Sequence, residues 1–83
     1  MSPDIDPQRM QAELAEEADK LAAHAEDTAG ILDQAAERGD ADRRHALAQW
    51  EREVADVERR NAERLRRGDT ADLEGPPPKP AVA

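Results

Sequence analysis

The chain has 83 residues, no cysteine, a single aromatic residue (Trp50) and 39% charged residues. That allows one small domain with a thin core and excludes a disulfide framework, a thiolate metal site and a thiol nucleophile. The net charge of −8 is unevenly placed: residues 1–42 hold twelve acids and three bases, a net of −9, whereas residues 43–83 hold eight acids and nine bases, a net of +1. An acidic leading half disfavours general nucleic-acid binding, which needs a basic face against phosphate.

Residues 1–6 read as an N-terminal extension. The opening "MSPDIDPQ" lacks the basic and apolar regions of a signal peptide, and no apolar run approaches the ~20 residues of a membrane span. The expected address is therefore the cytoplasm, or a particle assembled there, with no membrane contact.

Asp6-Pro7 starts a helix predicted over residues 7–38. Aspartate can accept a hydrogen bond from a free N–H of the first turn, and proline at the first helical position gives up a donor that has no partner. Within this segment Gln11, Ala18, Ala25 and Leu32 fall at heptad position a, Leu14, Leu21, Thr28 and Ala35 at d, and Ala15, Ala22, Ala29 and Ala36 at e. None of these twelve is charged, while Glu13, Glu16, Asp19, Lys20, Glu26, Asp27, Asp33 and Glu37 fall at b, c or f. The alanine column lets a second helix approach closely, near the ~8 Å lower end of interaxial spacing.

Arg38-Gly39-Asp40 and Arg67-Gly68-Asp69 are the same triplet, and they read as helix punctuation rather than as an adhesion signal. Arginine meets the negative end of a helix dipole, glycine takes a left-handed conformation, and aspartate caps the next helical turn. A turn at residues 39–40 leads into a second helix over 41–67, whose stripe of Leu47, Trp50, Val54, Val57 and Leu65 includes Asn61. Bulky side chains on this helix complement small ones on the first. The expected seam comprises Leu14, Leu21, Ala25, Leu32, Leu47, Trp50, Val54, Val57 and Leu65, with Leu47 by Leu32, Trp50 by Ala29, Val54 by Ala25, Val57 by Ala22, Asn61 by Ala18 and Leu65 by Leu14. The same register sets Arg52 by Asp27, Arg60 by Asp19 and Arg66 by Glu13, at the expense of Glu53 beside Glu26. The rival is one uninterrupted helix of about sixty residues, because a single glycine need not reverse a chain.

Residues 68–83 form a flexible proline-rich tail: "PPPKPAVA" favours polyproline II and contains a PxxP spacing from Pro77 to Pro80, suiting a spacer or a short docking peptide.

Candidates for chemistry are few. Asp42 and His45 have the i, i+3 spacing of a helical metal site, but the bland reading is a solvated charge cluster; His24 reads as a surface residue. Glu16 and Glu17 would need a pocket to shift their pKa before doing acid–base work, and the one serine, Ser2, lies in the N-terminal extension. The arginines at 59, 60, 64, 66 and 67 form the one basic cluster and read as partners of the first helix's acids. No catalytic residue, cofactor, metal or small-molecule substrate is expected.

The fold expectation is thus all-α: a two-helix antiparallel hairpin, coiled-coil-like, with an alanine-rich first helix. Two helices bury their apolar side chains incompletely, so completion by self-association or by a protein partner is expected, a homodimeric four-helix bundle being the simplest closure. Met10, Ile31, Ala48, Ala55 and Ala62 fall outside the expected seam and are assigned to partner contact, together with Asn61 from the stripe. Asn61 either specifies register within a helical seam or sits wet at its rim. The expected function is a non-catalytic protein–protein interaction module, acting as an assembly, adaptor or accessory structural subunit. The alternative is a small acidic regulator, antitoxin-like or phage-encoded, that blocks a basic site on a target.

Overall fold

A computed structural model of the chain describes residues 6–81. The expected extension at residues 1–6 therefore lies outside the described residues except for Asp6, and so does Ser2. Two helices, α1 (Pro7–Ala36) and α2 (Ala41–Arg66), run antiparallel and pack along their lengths, giving a body of 58 × 20 × 19 Å. The described residues contain no strand, and no helix among them is long and apolar enough to cross a membrane.

The start of α1 is set by its first two residues. Asp6 is extended (φ −80°, ψ 111°), its carboxylate accepts from the Gln8 N–H at 3.0 Å, and Pro7 occupies the first helical position. Capping of this kind satisfies one of the four N–H groups that a helix leaves unpaired.

The two identical triplets make different joints. α1 ends at Ala36, two residues before the predicted end, and tightens into i→i+3 bonds: Glu37 N–H to Gln34 at 3.3 Å, Arg38 N–H to Ala35 at 3.0 Å and Gly39 N–H to Ala36 at 3.4 Å. Reversal then rests on two successive positive-φ residues, Gly39 (φ 140°) and Asp40 (φ 50°, ψ 41°). Asp40, expected to cap α2 through its side chain, instead holds the left-handed conformation itself, and its carboxylate makes no cap bond. Aspartate is one of the few L-residues that visits this region readily. The Ala35 carbonyl accepts a second bond from the Arg44 guanidinium reaching back from α2, so the side-chain cation serving the end of α1 comes from the returning helix and not from Arg38.

At Gly68 (φ 77°) the geometry is a Schellman motif: the Gly68 N–H donates to the Leu65 carbonyl at 3.0 Å and the Asp69 N–H to the Arg64 carbonyl at 2.9 Å. The difference has a packing cause. After the first triplet the chain must return so that Ala36 and Ala48, both buried, can join the seam, whereas no helix comes after the second among the described residues.

The seam is rotated relative to the heptad expectation. Its buried residues are Ala15, Ala18, Ala22, Ala25, Ala29 and Ala36 from α1, with Ala48, Ala55, Val57, Ala62 and Leu65 from α2. Ala15 and Ala18 cluster with Ala62 and Leu65 at the open end; Ala22 and Ala25 cluster with Ala55 farther in, with Val54 against them. Of the expected seam, Ala25, Val57 and Leu65 are buried and Leu32, Leu47, Trp50 and Val54 are half-buried. Leu14 and Leu21 are not in it: they are 50% and 54% exposed. Ala48, Ala55 and Ala62, assigned to partner contact, are fully buried within the hairpin.

The physical reason is side-chain size. Positions a and e of α1 lie about 40° apart around a helix of 3.6 residues per turn, and here they are mostly alanine. Facing the alanines of α2, this narrow face lets the two backbones approach more closely than a face carrying Leu14 and Leu21 would. Turning that face inward swings position d outward.

The rotation also chooses the ion pairs. Position b flanks e, and its acids meet the arginines of α2 at heptad intervals: Asp19 with Arg66, Glu26 with Arg59 at 2.6 Å, and Asp33 with Arg52. These replace the expected pairs of Arg66 with Glu13, Arg60 with Asp19 and Arg52 with Asp27. Each is substantially exposed and adds little stability alone, but the three fit together only in this register.

Candidate functional site

Two surfaces remain once the seam is accounted for. One is the outer face of α1. Met10, Leu14, Leu21 and Ile31 are 47%, 50%, 54% and 65% exposed, and all stand at positions d and g. They lie along one side of α1, interrupted by Glu17 and His24 and outside the buried seam. Near the N-terminus a shallow depression is lined by Met10, Leu14, Glu13, Glu16 and Glu17. Glu13 pairs with Arg9 at 3.4 Å and Glu17 with Lys20 at 3.6 Å, both within α1. Met10 and Ile31 thus stand where the partner-contact assignment needs them, on an exposed face, and they are joined there by Leu14 and Leu21.

The second surface is the outer face of α2, which carries the tail. Beyond Gly68 the chain turns back and lies along α2 instead of extending as a loose spacer. Asn61 bonds both backbone groups of Glu74, its amide donating to the carbonyl at 2.9 Å and its oxygen accepting from the N–H at 2.9 Å. The Glu74 carboxylate is gripped by Arg60 through two nitrogens, at 2.8 and 3.1 Å, and by Arg64 at 2.7 Å. Farther along, the Trp50 indole N–H donates to the Pro77 carbonyl at 3.0 Å, and the Lys79 ammonium stands 5.5 Å from the indole ring centroid, within cation–π range. Pro78 and Pro80 line a shallow groove of about 250 Å³ with Ala46, Gln49, Trp50 and Glu53.

Asn61 is therefore neither a register device inside a helical seam nor an unengaged rim residue. It is half-buried and fully engaged by the tail. Arg60, expected opposite Asp19, is likewise committed to Glu74.

Electrostatics reflect these contacts. The guanidinium of Arg60, then that of Arg64, lowers the Glu74 carboxyl from an ordinary 4.5 to about 2. The Asp33 carboxyl is held below its usual range by Arg52 first and His45 second, the His45 Nδ1 lying 2.8 Å from Asp33. Arg59 lowers Glu26 in the same way. His45 thus engages Asp33 across the turn, and the spacing with Asp42 that resembled a metal-ligand pair has this other use; among the described residues no three His, Asp or Glu side chains converge on a point that could hold a metal ion.

A depressed carboxyl pKa contributes stability that is fully present above the unfolded value and is lost as pH falls through the folded one. For Glu74 that window runs from 4.5 down to about 2. Trp50 emission is expected to shift toward that of a solvated indole across this window as the tail loses its anchor. In Glu74→Gln the emission should already resemble the released state at pH 6 and show no step of this origin; a wild-type step that persists unchanged in Glu74→Gln would show that the anchor is not this carboxylate.

The tail contacts had a partial signal in the sequence. Arg60 and Arg64 are one helical turn apart on either side of Asn61, and Glu74 is the last acid of the chain, separated from the proline run by Gly75 alone. Comparison with family models, with curated proteins and with solved structures found no match to this chain.

Proposed function

We propose that the chain is a non-catalytic protein–protein interaction module, a small assembly, adaptor or accessory structural subunit that works through the outer face of α1. The observation that carries this reading is the stripe of Met10, Leu14, Leu21 and Ile31, which holds four of the five exposed large hydrophobic side chains among the described residues. Leaving four such side chains substantially exposed on one side of a helix forgoes burial worth about 1.5–3 kcal/mol each when complete, and apolar side chains grouped on a surface and rimmed by polar ones mark an interaction site. A second copy, pairing α1 with α1 to close a four-helix bundle, is the simplest partner.

Sedimentation of the full chain across the micromolar range, with and without about 0.5 M salt, tests this. Self-association with little salt dependence, abolished in Leu14→Glu/Leu21→Glu while helicity is retained, is the expected result. A chain that remains monomeric throughout overturns the self-assembling form of the proposal.

A second reading draws on Glu13, Glu16 and Glu17, which surround Met10 and Leu14. An acidic rim around an apolar patch suits a regulator that covers a basic site on a target, in which case the chain stays small and its binding weakens as salt rises.

A further inference from the structure

The tail is held on α2 by the means one chain uses to recognise another. Asn61 reads the backbone of Glu74 through both its N–H and its C=O, a contact indifferent to side chain, as in strand addition. Specificity comes from either side of it: a carboxylate in the fork of Arg60 and Arg64, and three residues later a carbonyl taken by an indole N–H beside proline rings. Aromatic surfaces that dock polyproline exploit the same preformed, low-entropy ligand. Trp50 and Asn61 are eleven residues apart, about three helical turns, so both anchors share one face of α2.

The connection is built to let the segment go. Thr70, Ala71, Asp72 and Leu73 are exposed, and the bonds that fix this strap lie at its two ends, on the last turn of α2 and at Glu74. Straightening it removes no buried side chain, which is the condition under which a terminal element is exchanged between copies at low cost.

We infer that the face of α2 from Trp50 to Arg64 is a recognition site for an extended, acid-led polyproline segment of the form Glu-x-x-Pro-x-Lys, and that its second occupant is residues 74–80 of another copy of this chain. The inference deepens the interaction-module reading by adding a surface that is separate from the α1 stripe. Because a short tether gives the resident tail an effective concentration of about millimolar, the intact chain at micromolar concentration keeps its own tail, and exchange appears once the contact within one chain is broken.

The test mixes two full-length variants, one that cannot hold its own tail and one whose hold on it is weakened. In Glu74→Lys the tail is repelled by Arg60 and Arg64 while the site is intact; in Trp50→Phe/Asn61→Ala the tail is intact and its own site keeps only the fork of Arg60 and Arg64, so the intact site of the first variant outcompetes it. Trp50 is the one tryptophan, so every indole signal in the mixture comes from the first variant. Alone, Glu74→Lys should give the indole N–H resonance of a solvated tryptophan. Titration with the second variant should return that resonance to its position in the unsubstituted chain, saturating at one tail per site, with a 1:1 species in sedimentation. Should Trp50→Phe/Asn61→Ala lose its helical circular dichroism, a synthetic peptide of residues 72–81 serves as the tail donor. An indole resonance that stays in its solvated position up to millimolar donor overturns the inference, as does a Glu74→Lys chain whose resonance never leaves the unsubstituted position. Either result leaves the salt-independent association through α1 standing or falling on the Leu14 and Leu21 variants alone.

Discussion

Replacing Ala22 or Ala55 with leucine is expected to cost the hairpin about 1–3 kcal/mol for each substitution, and the double substitution is expected to open it. Both alanines are fully buried and they cluster with Ala25 where the helices pack. No space at that point accepts a leucine side chain unless the helices move apart, and separation also breaks the Glu26–Arg59 pair at the same level. A domain this small has only a few kcal/mol of stability in total, so the loss should appear as a large fall in the urea midpoint tracked by circular dichroism. Leu14→Ala and Leu21→Ala give the contrast: both leucines are about half exposed, and truncating them should change the midpoint little. Tolerance of Ala22→Leu combined with a penalty of about 2 kcal/mol or more for Leu14→Ala would mean that α1 presents a and d to its partner, contrary to the observed rotation.

The second large effect is at the turn. Gly39 stands at φ 140°, a conformation that L-residues rarely adopt, so Gly39→Ala is expected to cost about 1–3 kcal/mol. The substitution also raises the helix propensity of the joint by about 1 kcal/mol, which favours the competing arrangement in which the chain runs straight through as one helix. Such a helix of about sixty residues would be close to 90 Å long at about 1.5 Å per residue, against 58 Å for the hairpin. Small-angle scattering distinguishes the two lengths directly. Gly30→Ala is the control: Gly30 lies within α1, a Cβ added there meets nothing within 4 Å, and the substitution should stabilise by about 1 kcal/mol. An unchanged midpoint and maximum dimension in Gly39→Ala would show that reversal does not depend on the glycine.

Much of the hairpin was legible because it rests on local rules. Asp6-Pro7 specifies a helix start through bonds made within two residues, and the Gly39–Asp40 pair specifies a reversal because few other residues accept positive φ. The columns of α1 and the stripe of α2 put Ala25, Val57 and Leu65 in the seam, and all three are buried. The same columns put Leu14 and Leu21 inside and Ala48, Ala55 and Ala62 outside, which the burial pattern reverses. The candidate site on α1 was half legible: Met10 and Ile31 were assigned to an outer face, and the two leucines that complete it were placed in the seam. On α2, Asn61 stood out as a polar residue in an apolar stripe, yet nothing nearby in the sequence connects it with Glu74, thirteen residues on.

Composition, caps and periodicity by themselves determined that this chain is helical from Pro7 onward, that its joint is at Gly39 and that each helical segment has an apolar side; that the joint reverses the chain is shown by the packing of α1 against α2. What the tertiary structure decided is the rotation of each helix about its axis and the place of the tail. Rotation depends on how closely two backbones can approach, a property of both surfaces together, and the alanine columns of the two helices took the seam in place of Leu14 and Leu21. The tail's position depends on Glu74 finding two arginines with its carboxylate and an asparagine with its backbone across a loop, a contact with no period for a sequence to display.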